Sequence, residues 1–499
     1  MDYLTFILSL LFIANLLYVA KTIKLGFSNL PPGPRPLPII GNLHQLGPKP
    51  HKSLANLART HGPIMRLELG QVTTVVISSA SAARLVLQKQ DHSLANRFPP
   101  DSSSSCGHDR HSVVWKNLSQ KWRELRRICN AEIFSSQKME AYGYLRVKRV
   151  EELVAEIRRS AEVGEPVLIG EVSFKTLLNL LSRMILSVDL DDGGSEAASR
   201  EFKASFRAMM DLLGMPNLVD YFPWLRVIDP QRIRARLVVH FEKMLGFFDD
   251  LVAQRLAQRS AQGPVSEHKD VLDTLVNIMV QSNGEFTRTD IGHLLLDLIV
   301  AGTDTTSSTI EWAMTELLKS PETMSKAKAE LEQVATKGKP ISESDVPRLP
   351  YLHAIVKETL RLHPAAPLLI PRKTLDSVDL NGFTIPKGTQ IVVNAWAVQR
   401  DPATWEDPER FKPERFLNSD VDFRGGSFEL IPFGGGRRIC PGLPLASKMM
   451  PLILGSLLNA FDWRLEEGLR IEDIDMDDKF GLTLVKTRPL RLIPVVELF

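Results

Sequence analysis

Residues Phe433 to Gly442 read Phe-Gly-Gly-Gly-Arg-Arg-Ile-Cys-Pro-Gly, which places a cysteine shortly after a run of glycines. Glycine has no Cβ and tolerates positive φ, so such a loop can lie close against a flat or bulky group. The apolar residues after Gly442 predict a helix, and the positive end of its dipole favours a thiolate at Cys440. A single cysteine without a partner at zinc spacing is not typical of a zinc site. It is typical either of the proximal ligand of a haem iron or of a buried free cysteine beside a tight turn.

Five positions of this loop resemble the cytochrome P-450 haem-binding signature F-x-x-G-x-R-x-C-x-G. They are Phe433, Gly436, Arg438, Cys440 and Gly442. At average residue usage, five fixed positions match by chance in roughly one of several thousand sequences of this length. The resemblance implies a mainly α fold with small β-sheets. It also implies haem b ligated by the thiolate of Cys440, and contacts of Phe433 and Arg438 with that cofactor.

The composition is that of a large globular protein, with 499 residues, a net charge of +2, 44% hydrophobic and 24% charged residues. Near-neutral, mixed charge gives no indication of nucleic-acid binding. Cys106, Cys129 and Cys440 form no spaced framework, so the sequence predicts no disulfides and a reducing compartment. No long Gly/Ser-rich or Pro-rich linker divides the interior, which predicts one catalytic domain.

The N-terminus carries a candidate membrane anchor. Residues 3–20 are uncharged and mostly apolar, and as a helix they would span about 27 Å, enough for a bilayer core. Lys21 and Lys24 follow this run, which predicts a luminal N-terminus and a cytosolic catalytic domain. A cleaved signal peptide is the alternative.

The expected organisation is an anchor with its basic flank over residues 1–24, a proline-rich hinge over 25–45 and a haem-thiolate catalytic domain over 46–499. The proline-rich segment would act as a stiff spacer between the membrane and the catalytic domain. Both leading segments resemble those of microsomal cytochromes P-450. The resemblance implies a single-pass protein of the endoplasmic reticulum membrane that contacts lipid.

A basic helix is predicted from Lys121 onward, and Trp122 and Arg126 share one face of it. On their own these residues are typical of an amphipathic surface helix. In the family, a W-x-x-x-R pair at this place bonds a haem propionate, so the resemblance implies that role for Trp122 and Arg126. It implies a second propionate contact for Arg372. Four cationic residues also suggest a docking face for an electron donor: Lys121, Arg123, Arg126 and Arg127.

A long helix is predicted over residues 291–319, and its middle, residues 301–306, reads Ala-Gly-Thr-Asp-Thr-Thr. A glycine, an acid and consecutive threonines are poor choices for a buried helix interior, and such conflicts often mark functional sites. A capping sequence between two helices is the alternative. The stretch resembles the cytochrome P-450 oxygen-binding motif, which implies that Asp304 and Thr305 are catalytic and relay protons.

Other segments are predicted from their periodicity and turn residues. Apolar and β-branched runs predict a small sheet over residues 61–79, and residues 96–111, which include four serines, are predicted as loop. A helical pattern dominates residues 134–262. Hairpins are predicted over 378–394, where Asn381-Gly382 is a turn signal.

Glu358 and Arg361 lie three residues apart on a predicted helix, close enough to pair. Pairs of this spacing are common. This one resembles the buried ion pair of the family, which is closed by an arginine in a Pro-Glu-Arg-Phe segment, here Arg415. The implied role of the three residues is structural, because they would hold the cysteine loop without taking part in chemistry.

Several stretches resemble plant terpenoid hydroxylases, geraniol 8-hydroxylases above all: Asp-Tyr-Phe-Pro at 220–223, Leu-Pro-Tyr-Leu at 349–352 and Glu-Leu-Ile-Pro-Phe-Gly at 429–434. Cys-Gly-His-Asp at 106–109 is similar instead to abietane-type diterpenoid oxidases. Tyrosine or phenol hydroxylases of the same group are similar over much of the same sequence. Lys-Asn-Leu at 116–118 departs from these relatives beside the expected substrate loop, so the exact substrate stays open.

The resemblance implies a haem-thiolate monooxygenase that hydroxylates a small apolar plant metabolite, with a geraniol-type monoterpenoid favoured. Mostly apolar residues are predicted to wall the substrate cavity: Leu294, Ala301, Leu368, Leu369, Ile370 and Leu482. No Rossmann or flavin fingerprint is present, so electrons from NADPH are expected through a separate NADPH–cytochrome P-450 reductase. The alternatives of another class are a non-redox haem-thiolate isomerase or dehydratase and an inactive membrane-anchored binding protein.

Overall fold

The structure is a computed structural model that describes residues 29–189, 196–262 and 270–496. The predicted membrane anchor over residues 3–20 and the first residues of the predicted hinge lie outside the described residues. Within them the protein is mainly helical with small sheets, as the sequence predicts. Buried apolar side chains form three clusters, and the largest is built mainly from the long helices.

The helices of the described residues are α1 (Pro50–His61), α2 (Ala80–Arg84), α3 (Asp91–Leu94), α4 (His108–His111), α5 (Gln120–Arg127), α6 (Ser136–Ala141), α7 (Gly143–Val163), α8 (Ile169–Leu186), α9 (Glu196–Leu213), α10 (Leu218–Tyr221), α11 (Ile233–Gln262), α12 (Val271–Gln281), α13 (Arg288–Lys319), α14 (Pro321–Val334), α15 (Pro350–Leu362), α16 (Ala395–Val398) and α17 (Leu443–Ala460). Helix α13 runs through the core and packs along α8.

Helix α13 begins at a capping box. The Thr287 side chain accepts from the N–H of Asp290, and the Asp290 carboxylate accepts from the N–H of Thr287. In the middle of the helix, a Cβ on Gly302 would lie 2.7 Å from Cδ1 of Leu181 on α8. A side chain at position 302 would therefore require the Leu181 side chain to shift, and glycine lets the two helices pack closely here.

The strands are β1 (Ile64–Leu69), β2 (Val72–Ile77), β3 (Asn96–Arg97), β4 (Val167–Leu168), β5 (Arg372–Lys373), β6 (Val378–Leu380), β7 (Phe383–Ile385), β8 (Gln390–Val393), β9 (Asp462–Arg464), β10 (Asp478–Lys479), β11 (Val485–Lys486) and β12 (Arg491–Val495). A five-stranded sheet has the order β1-β2-β8-β5-β3, and β4-β12-β9, β10-β11 and β6-β7 form smaller sheets. The register between β3 and β5 places Arg97 opposite Arg372.

The structure confirms most of the predicted elements and corrects one. The small sheet over residues 61–79 is β1 and β2, and Asn381-Gly382 forms the turn between β6 and β7 with positive φ at both residues. The loop predicted over residues 96–111 is wrong, because β3, a 3₁₀-helix (Asp101–Gly107) and α4 occupy it. Its serines stabilise the 3₁₀-helix: the hydroxyls of residues 103, 104 and 105 each donate to the carbonyl three residues earlier, at 2.7 to 2.8 Å.

Among the described residues, helix α17 has the length and the mean hydropathy, 1.2, of a membrane span. Within the protein 72% of it is buried. Its apolar residues face neighbouring helices on several sides, so its hydropathy is explained by its place in the core.

Candidate active site

The cysteine loop, residues 433–442, lies close against the segment around Leu87. Gly436 has a φ of +66°, and a Cβ there would lie 1.9 Å from the carbonyl oxygen of Leu87, so only glycine fits. The N–H of Cys440 donates to the carbonyl oxygen of Phe433 at 3.0 Å, which closes the loop. Helix α17 begins at Leu443, directly after the loop. Cys440 therefore lies at a helix N-terminus, as the sequence predicts.

The groups around Cys440 shift the pKa of its thiol in opposite directions. Burial raises the pKa of the thiol above its usual range. Hydrogen bonds from the backbone N–H groups of Gly442 and Leu443 and the positive charge of Arg126 lower that pKa. These three groups would stabilise a thiolate in a place where burial alone opposes it.

Four arginines lie close together, three beside the cysteine loop and one in it: Arg97, Arg126, Arg372 and Arg438. Burial and the repulsion from Arg372 and Arg126 lower the pKa of Arg438 to about 9. Burial and the same kind of repulsion hold the pKa of Arg97 well below its usual value. The negative charge of Asp91 raises the pKa of both Arg97 and Arg438. The cluster therefore carries a buried excess of positive charge.

Asp91 ties two parts of the cluster together. Its Oδ1 accepts from Nη1 of Arg372 at 2.7 Å, and its Oδ2 accepts from the backbone N–H of Arg437 at 2.8 Å. Nη2 of Arg372 donates to the carbonyl oxygen of Gly435 at 3.0 Å. Both terminal nitrogens of Arg372 thus hold the cysteine loop, and its predicted contact with a cofactor propionate stays a prediction.

Trp122 and Arg438 are also engaged with the protein. Nε1 of Trp122 donates to the carbonyl oxygen of Val113 at 3.1 Å. The guanidinium of Arg438 donates to the carbonyl oxygens of Ala95, Val113 and Lys116. The predicted propionate bond of Trp122 would compete with its bond to Val113. For Arg126, burial lowers the pKa of the guanidinium, and the nearby cysteines Cys129 and Cys440 raise it.

The residues present fit haem. A thiol at a helix N-terminus and a buried surplus of guanidinium groups match an iron that needs a soft ligand and a porphyrin that carries two propionates. Cys440 would ligate the iron, and Arg126 is the arginine best placed to meet a propionate. Arg97 and Asp91 belong to this cluster and were not found from the sequence. Neither stands at a motif spacing from Cys440, and only the pairing of β3 with β5 brings Arg97 to the site.

The middle of α13 forms the second part of the site. Ala301 is exposed although the helix around it is largely buried, so this segment borders open space. Oγ1 of Thr305 donates to the carbonyl oxygen of Ala301 at 2.8 Å, the back-bond expected of a threonine that bends a helix. Asp304, the residue before Thr305, has a raised pKa. Burial is the main cause, the nearby hydroxyl of Thr483 acts to lower the pKa, and the charge of Asp211 raises it further.

The residues predicted to wall the substrate cavity fall into two groups. Ala301 is exposed and Leu482 is 39% exposed, so both border open space. Residues 368–370 are half-buried and lie in a turn, not in the extended conformation: the N–H of Leu369 donates to the carbonyl oxygen of Ala366 at 3.0 Å, and Leu369 has a positive φ of 48°. Leu294 has no exposed surface and packs in the largest hydrophobic cluster, so the structure does not bring it to the open space.

The predicted ion-pair trio is present. Glu358 accepts from Nε and Nη2 of Arg361 at 2.7 and 2.8 Å, and from Nε of Arg415 at 3.0 Å. Glu358 and Arg361 have no exposed surface. Nη1 of Arg361 also donates to the carbonyl oxygens of Gln399 and Pro408. The charges are therefore paired and hydrogen-bonded, as buried ions require.

The predicted docking face divides into half-buried and exposed residues. Lys121 is half-buried and lies 2.9 Å from Asp290. Arg123 and Arg127 are exposed, and together with the half-buried Arg126 they border an open groove of about 430 Å³ that also includes Asn130. The exposed pair is the part of the face most available to a partner.

Comparison with known proteins gives one consistent result. The family described as Cytochrome P450 matches residues 31–493. A geraniol 8-hydroxylase of Catharanthus roseus is 52% identical over 494 residues, with 99% of each chain covered. A geraniol 8-hydroxylase of Swertia mussotii is 51% identical, and a 7-ethoxycoumarin O-deethylase of Helianthus tuberosus is 52% identical, each with 99% of both chains covered.

Proposed function

The chain belongs to the cytochrome P450 family and is a monooxygenase, and from this premise we propose that it hydroxylates a small terpenoid, a geraniol-type monoterpenoid above all. The observation that carries the substrate class is the identity of 51 to 52% with two geraniol 8-hydroxylases over 99% of both chains. The apolar residues that border open space, Leu482 among them, suit a hydrocarbon substrate with few polar groups.

Cys440 would ligate the iron of haem b, and Arg126 would pair with a propionate of the porphyrin. Bound through a thiolate, haem supplies the electron-rich iron at which dioxygen is activated. The backbone N–H groups of Gly442 and Leu443 and the charge of Arg126 support the Cys440 thiolate against the cost of burial. Arg372 and Asp91 hold the loop in position without touching the reacting atoms.

Thr305 and Asp304 handle protons beside the open space. The hydrogen of the Thr305 hydroxyl goes to the carbonyl oxygen of Ala301, so its oxygen lone pairs can accept from a water molecule there. Burial raises the pKa of Asp304 above its ordinary value, which favours the protonated form that a proton donor needs. Thr305 orders the donor water, and Asp304 replenishes the proton.

Electrons come from NADPH through the NADPH–cytochrome P450 reductase. Arg123 and Arg127 are the exposed members of the basic helix α5 and lie on the element that also carries Arg126. An acidic partner docked in the groove they border would therefore be close to the haem edge.

The catalytic domain rests on the cytosolic face of the endoplasmic reticulum membrane. An apolar patch supports this location: it consists of Leu37, Ile39, Ile40, Met215, Leu218, Trp224, Val227 and Ile228, all exposed. The N–H of Gln71 donates to the carbonyl of Tyr221 and that of Gly70 to the carbonyl of Ile40, so the two halves of the patch meet at one hairpin turn. Large apolar patches of this kind mark interaction sites. In the sequence, the apolar run over residues 3–20 comes before the residues of the patch.

The function is tested with the full chain in microsomes together with the reductase. Geraniol and NADPH should give an oxygenated terpenoid alcohol and a substrate-induced change in the haem spectrum, and Cys440→Ser should abolish product and the thiolate-type carbon-monoxide band. An abietane diterpene or tyrosine turned over in place of geraniol would overturn the substrate class. Turnover that needs no NADPH would overturn the monooxygenation in favour of an isomerase or dehydratase, and a spectrum without turnover of any kind would indicate a binding protein.

A further inference from the structure

The turn between β10 and β11 is held in place by hydrogen bonds on two sides. Oγ of Ser308 on α13 donates to the carbonyl oxygen of Leu484 in this turn at 2.9 Å. The N–H of Leu484 donates to the carbonyl oxygen of Ala365 at 2.8 Å. The turn, which also carries Leu482, is therefore fixed between α13 and the segment over residues 365–370.

Arg97 joins that segment to the one that follows α4. Its Nη1 donates to the carbonyl oxygen of Ile370 at 2.8 Å, and its Nε donates to the carbonyl oxygen of Val114 at 2.9 Å. Arg97 is 6% exposed, so both bonds lie inside the protein. The residue before Val114 returns the path to α13, because the N–H of Val113 donates to Asp297 at 2.8 Å.

Together these bonds form a closed belt. Its residues are, in order, Ser308, Leu484, Ala365, Ile370, Arg97, Val114, Val113 and Asp297. The two ends of the belt on α13 are separated by about 16.5 Å along the helix axis, and Ala301 and Thr305 lie between them. Leu482, the other exposed residue of the predicted cavity wall, lies in the turn that the belt crosses. The belt therefore surrounds the open space of the site.

Asn117 holds the Arg97 link from the outside. Strand β3, which carries Arg97, lies at the edge of the five-stranded sheet. On the outer side of this strand, Oδ1 of Asn117 accepts from the N–H of Arg97 at 3.0 Å. In the reverse direction, Oδ1 of Asn96 accepts from the N–H of Leu118 at 2.9 Å. Two side-chain amides thus take the place of a further strand. They do so within residues 116–118, where the sequence departs from the terpenoid hydroxylases that it resembles.

We propose that the belt sets the width of the substrate cavity and that Asn117 is a specificity-determining residue: by fixing the backbone of Arg97, it fixes the distance between Val114 and Ile370. The proposal deepens the proposed function, because it rests on the substrate cavity assigned to this open space. A planar guanidinium that donates to two carbonyl oxygens is a rigid spacer. The cavity should accept an apolar chain up to a definite length, and a looser belt should admit a longer one.

The test measures the size of the cavity with 1-alkylimidazoles, which bind haem iron through nitrogen and carry alkyl chains of increasing length. Dissociation constants are taken from the spectral change of the haem-loaded full chain. Each methylene that finds room should tighten binding roughly fourfold, and the gain should stop at the length that fills the cavity. In Asn117→Leu, which keeps the size of the side chain and removes the acceptor, we expect this limit to move by at least about one methylene.

Three further variants isolate the cause. Asn117→Asp keeps the acceptor oxygen and should retain the wild-type limit. Gln120→Leu changes an exposed amide three residues away and is the matched control, so it should retain the limit as well. Ser308→Ala cuts the belt on its opposite side and should move the limit in the same direction as Asn117→Leu. Because Asn117 is exposed, its substitution leaves no cavity in the core, and the variant should fold.

An unchanged limit in Asn117→Leu, or an equal shift in Gln120→Leu, would overturn the role of Asn117. An unchanged limit in Ser308→Ala would overturn the belt. If imidazole itself lost as much affinity for Asn117→Leu as the long homologues, the effect would lie at the haem, which would also overturn the proposal.

Turnover of geraniol and of farnesol, which is one prenyl unit longer, separates this proposal from the proposed function. We expect the preference for geraniol in kcat/KM to fall at least about threefold in Asn117→Leu, through KM and not through kcat. An unchanged preference would overturn the claim to specificity. If the alkylimidazole limit moves while the wild type oxidises neither alcohol, the belt stands and the terpenoid substrate falls. If the wild type oxidises geraniol and the limit does not move, the proposed function stands and the belt falls.

Discussion

The guanidinium of Arg438 lies over the indole ring of Trp122, with 4.2 Å between Cζ of Arg438 and the ring centroid. Both side chains donate to the same acceptor, the carbonyl oxygen of Val113, at 3.1 Å from Trp122 and 3.3 Å from Arg438. The N–H of Val113 in turn donates to Asp297 of α13 at 2.8 Å. The cysteine loop, α5 and α13 are therefore joined at one residue. This connection keeps Cys440 and the segment around Thr305 in a fixed relation.

Arg126→Leu should weaken haem retention. Arg126 is the half-buried cation whose charge acts on the Cys440 thiol, and we assign it to a propionate. A hydrogen bond to a charged group is worth roughly 1.5–3 kcal/mol, which corresponds to about tenfold to hundredfold in haem affinity. The measurement is the rate of haem transfer to apomyoglobin. Arg123→Leu, an exposed arginine of the same helix, is the control and should retain haem normally; equal loss in both variants would contradict the assignment.

Asp91→Asn should destabilise the protein strongly. Asp91 is 3% exposed and accepts from Arg372 and from the backbone of Arg437, so its loss leaves buried positive charge without its counter-ion. Breaking a buried pair typically costs about 3–5 kcal/mol. The measurement is the free energy of unfolding in urea. Asp376→Asn is the control, because its pair with Lys387 is largely exposed and should contribute less than about 1 kcal/mol. Equal effects of the two substitutions would show that Asp91 is not the counter-ion of the cluster.

The parts of the site that could be predicted are those whose residues are contiguous or stand at a fixed spacing. Cys440 and the Asp304-Thr305 pair belong to short motifs whose chemistry is readable from the sequence. Arg97 and Asp91 could not be predicted in this way, because Arg97 reaches the site through strand pairing and Asp91 through its bond to the loop. Tertiary contacts of this kind leave no local pattern.

Leu294 shows why the predicted cavity wall was wrong at one position. It lies seven residues before Ala301 and therefore on the same face of α13. Seven residues also separate the two by about 10.5 Å along the helix axis. At that distance other helices cover the face, and Leu294 is wholly buried. Periodicity predicts the face of a helix but not where along it the open space ends.

Asp220 should make stability depend on pH between about 4 and 6. Burial raises the pKa of Asp220 from 3.8 to about 6, although it accepts from the N–H of Asp101, and the Asp101 charge raises it further. Between these values the folded protein binds this proton more fully than the unfolded chain does. The contribution of this group is therefore fully present below about pH 4 and is lost as pH rises through 6.

Asp220→Asn isolates this effect, because asparagine keeps the acceptor oxygen and cannot ionise. Arg226 and Arg234, which pair with Asp101, are unchanged in the variant. The unfolding midpoints of the variant and the wild type should be compared at pH 5, 6 and 7. We expect the unfolding midpoint of the variant to increase relative to that of the wild type as pH rises. A difference that is constant over this range would show that Asp220 titrates alike in both states.

Thr305→Ala should uncouple the enzyme. Its hydroxyl donates to the carbonyl of Ala301 at 2.8 Å beside the open space, so its oxygen is the acceptor that can order a donor water there. Without it, haem and substrate should still bind, but reducing equivalents should leave as peroxide. A relay step worth roughly 10²-fold corresponds to about 2.7 kcal/mol of barrier. The measurement is product and peroxide formed per NADPH consumed.

Thr303→Ala is the matched control for Thr305→Ala. Thr303 makes the same back-bond in the same helix, to the carbonyl of Ile299 at 2.9 Å, but it has no exposed surface. Its loss changes the helix in the same way without changing the open space, so coupling should stay at the wild-type value. Equal uncoupling in both variants would assign the effect to helix geometry and not to the hydroxyl. Normal coupling in both would leave Thr305 a residue that bends the helix, and the relay would then need another alcohol.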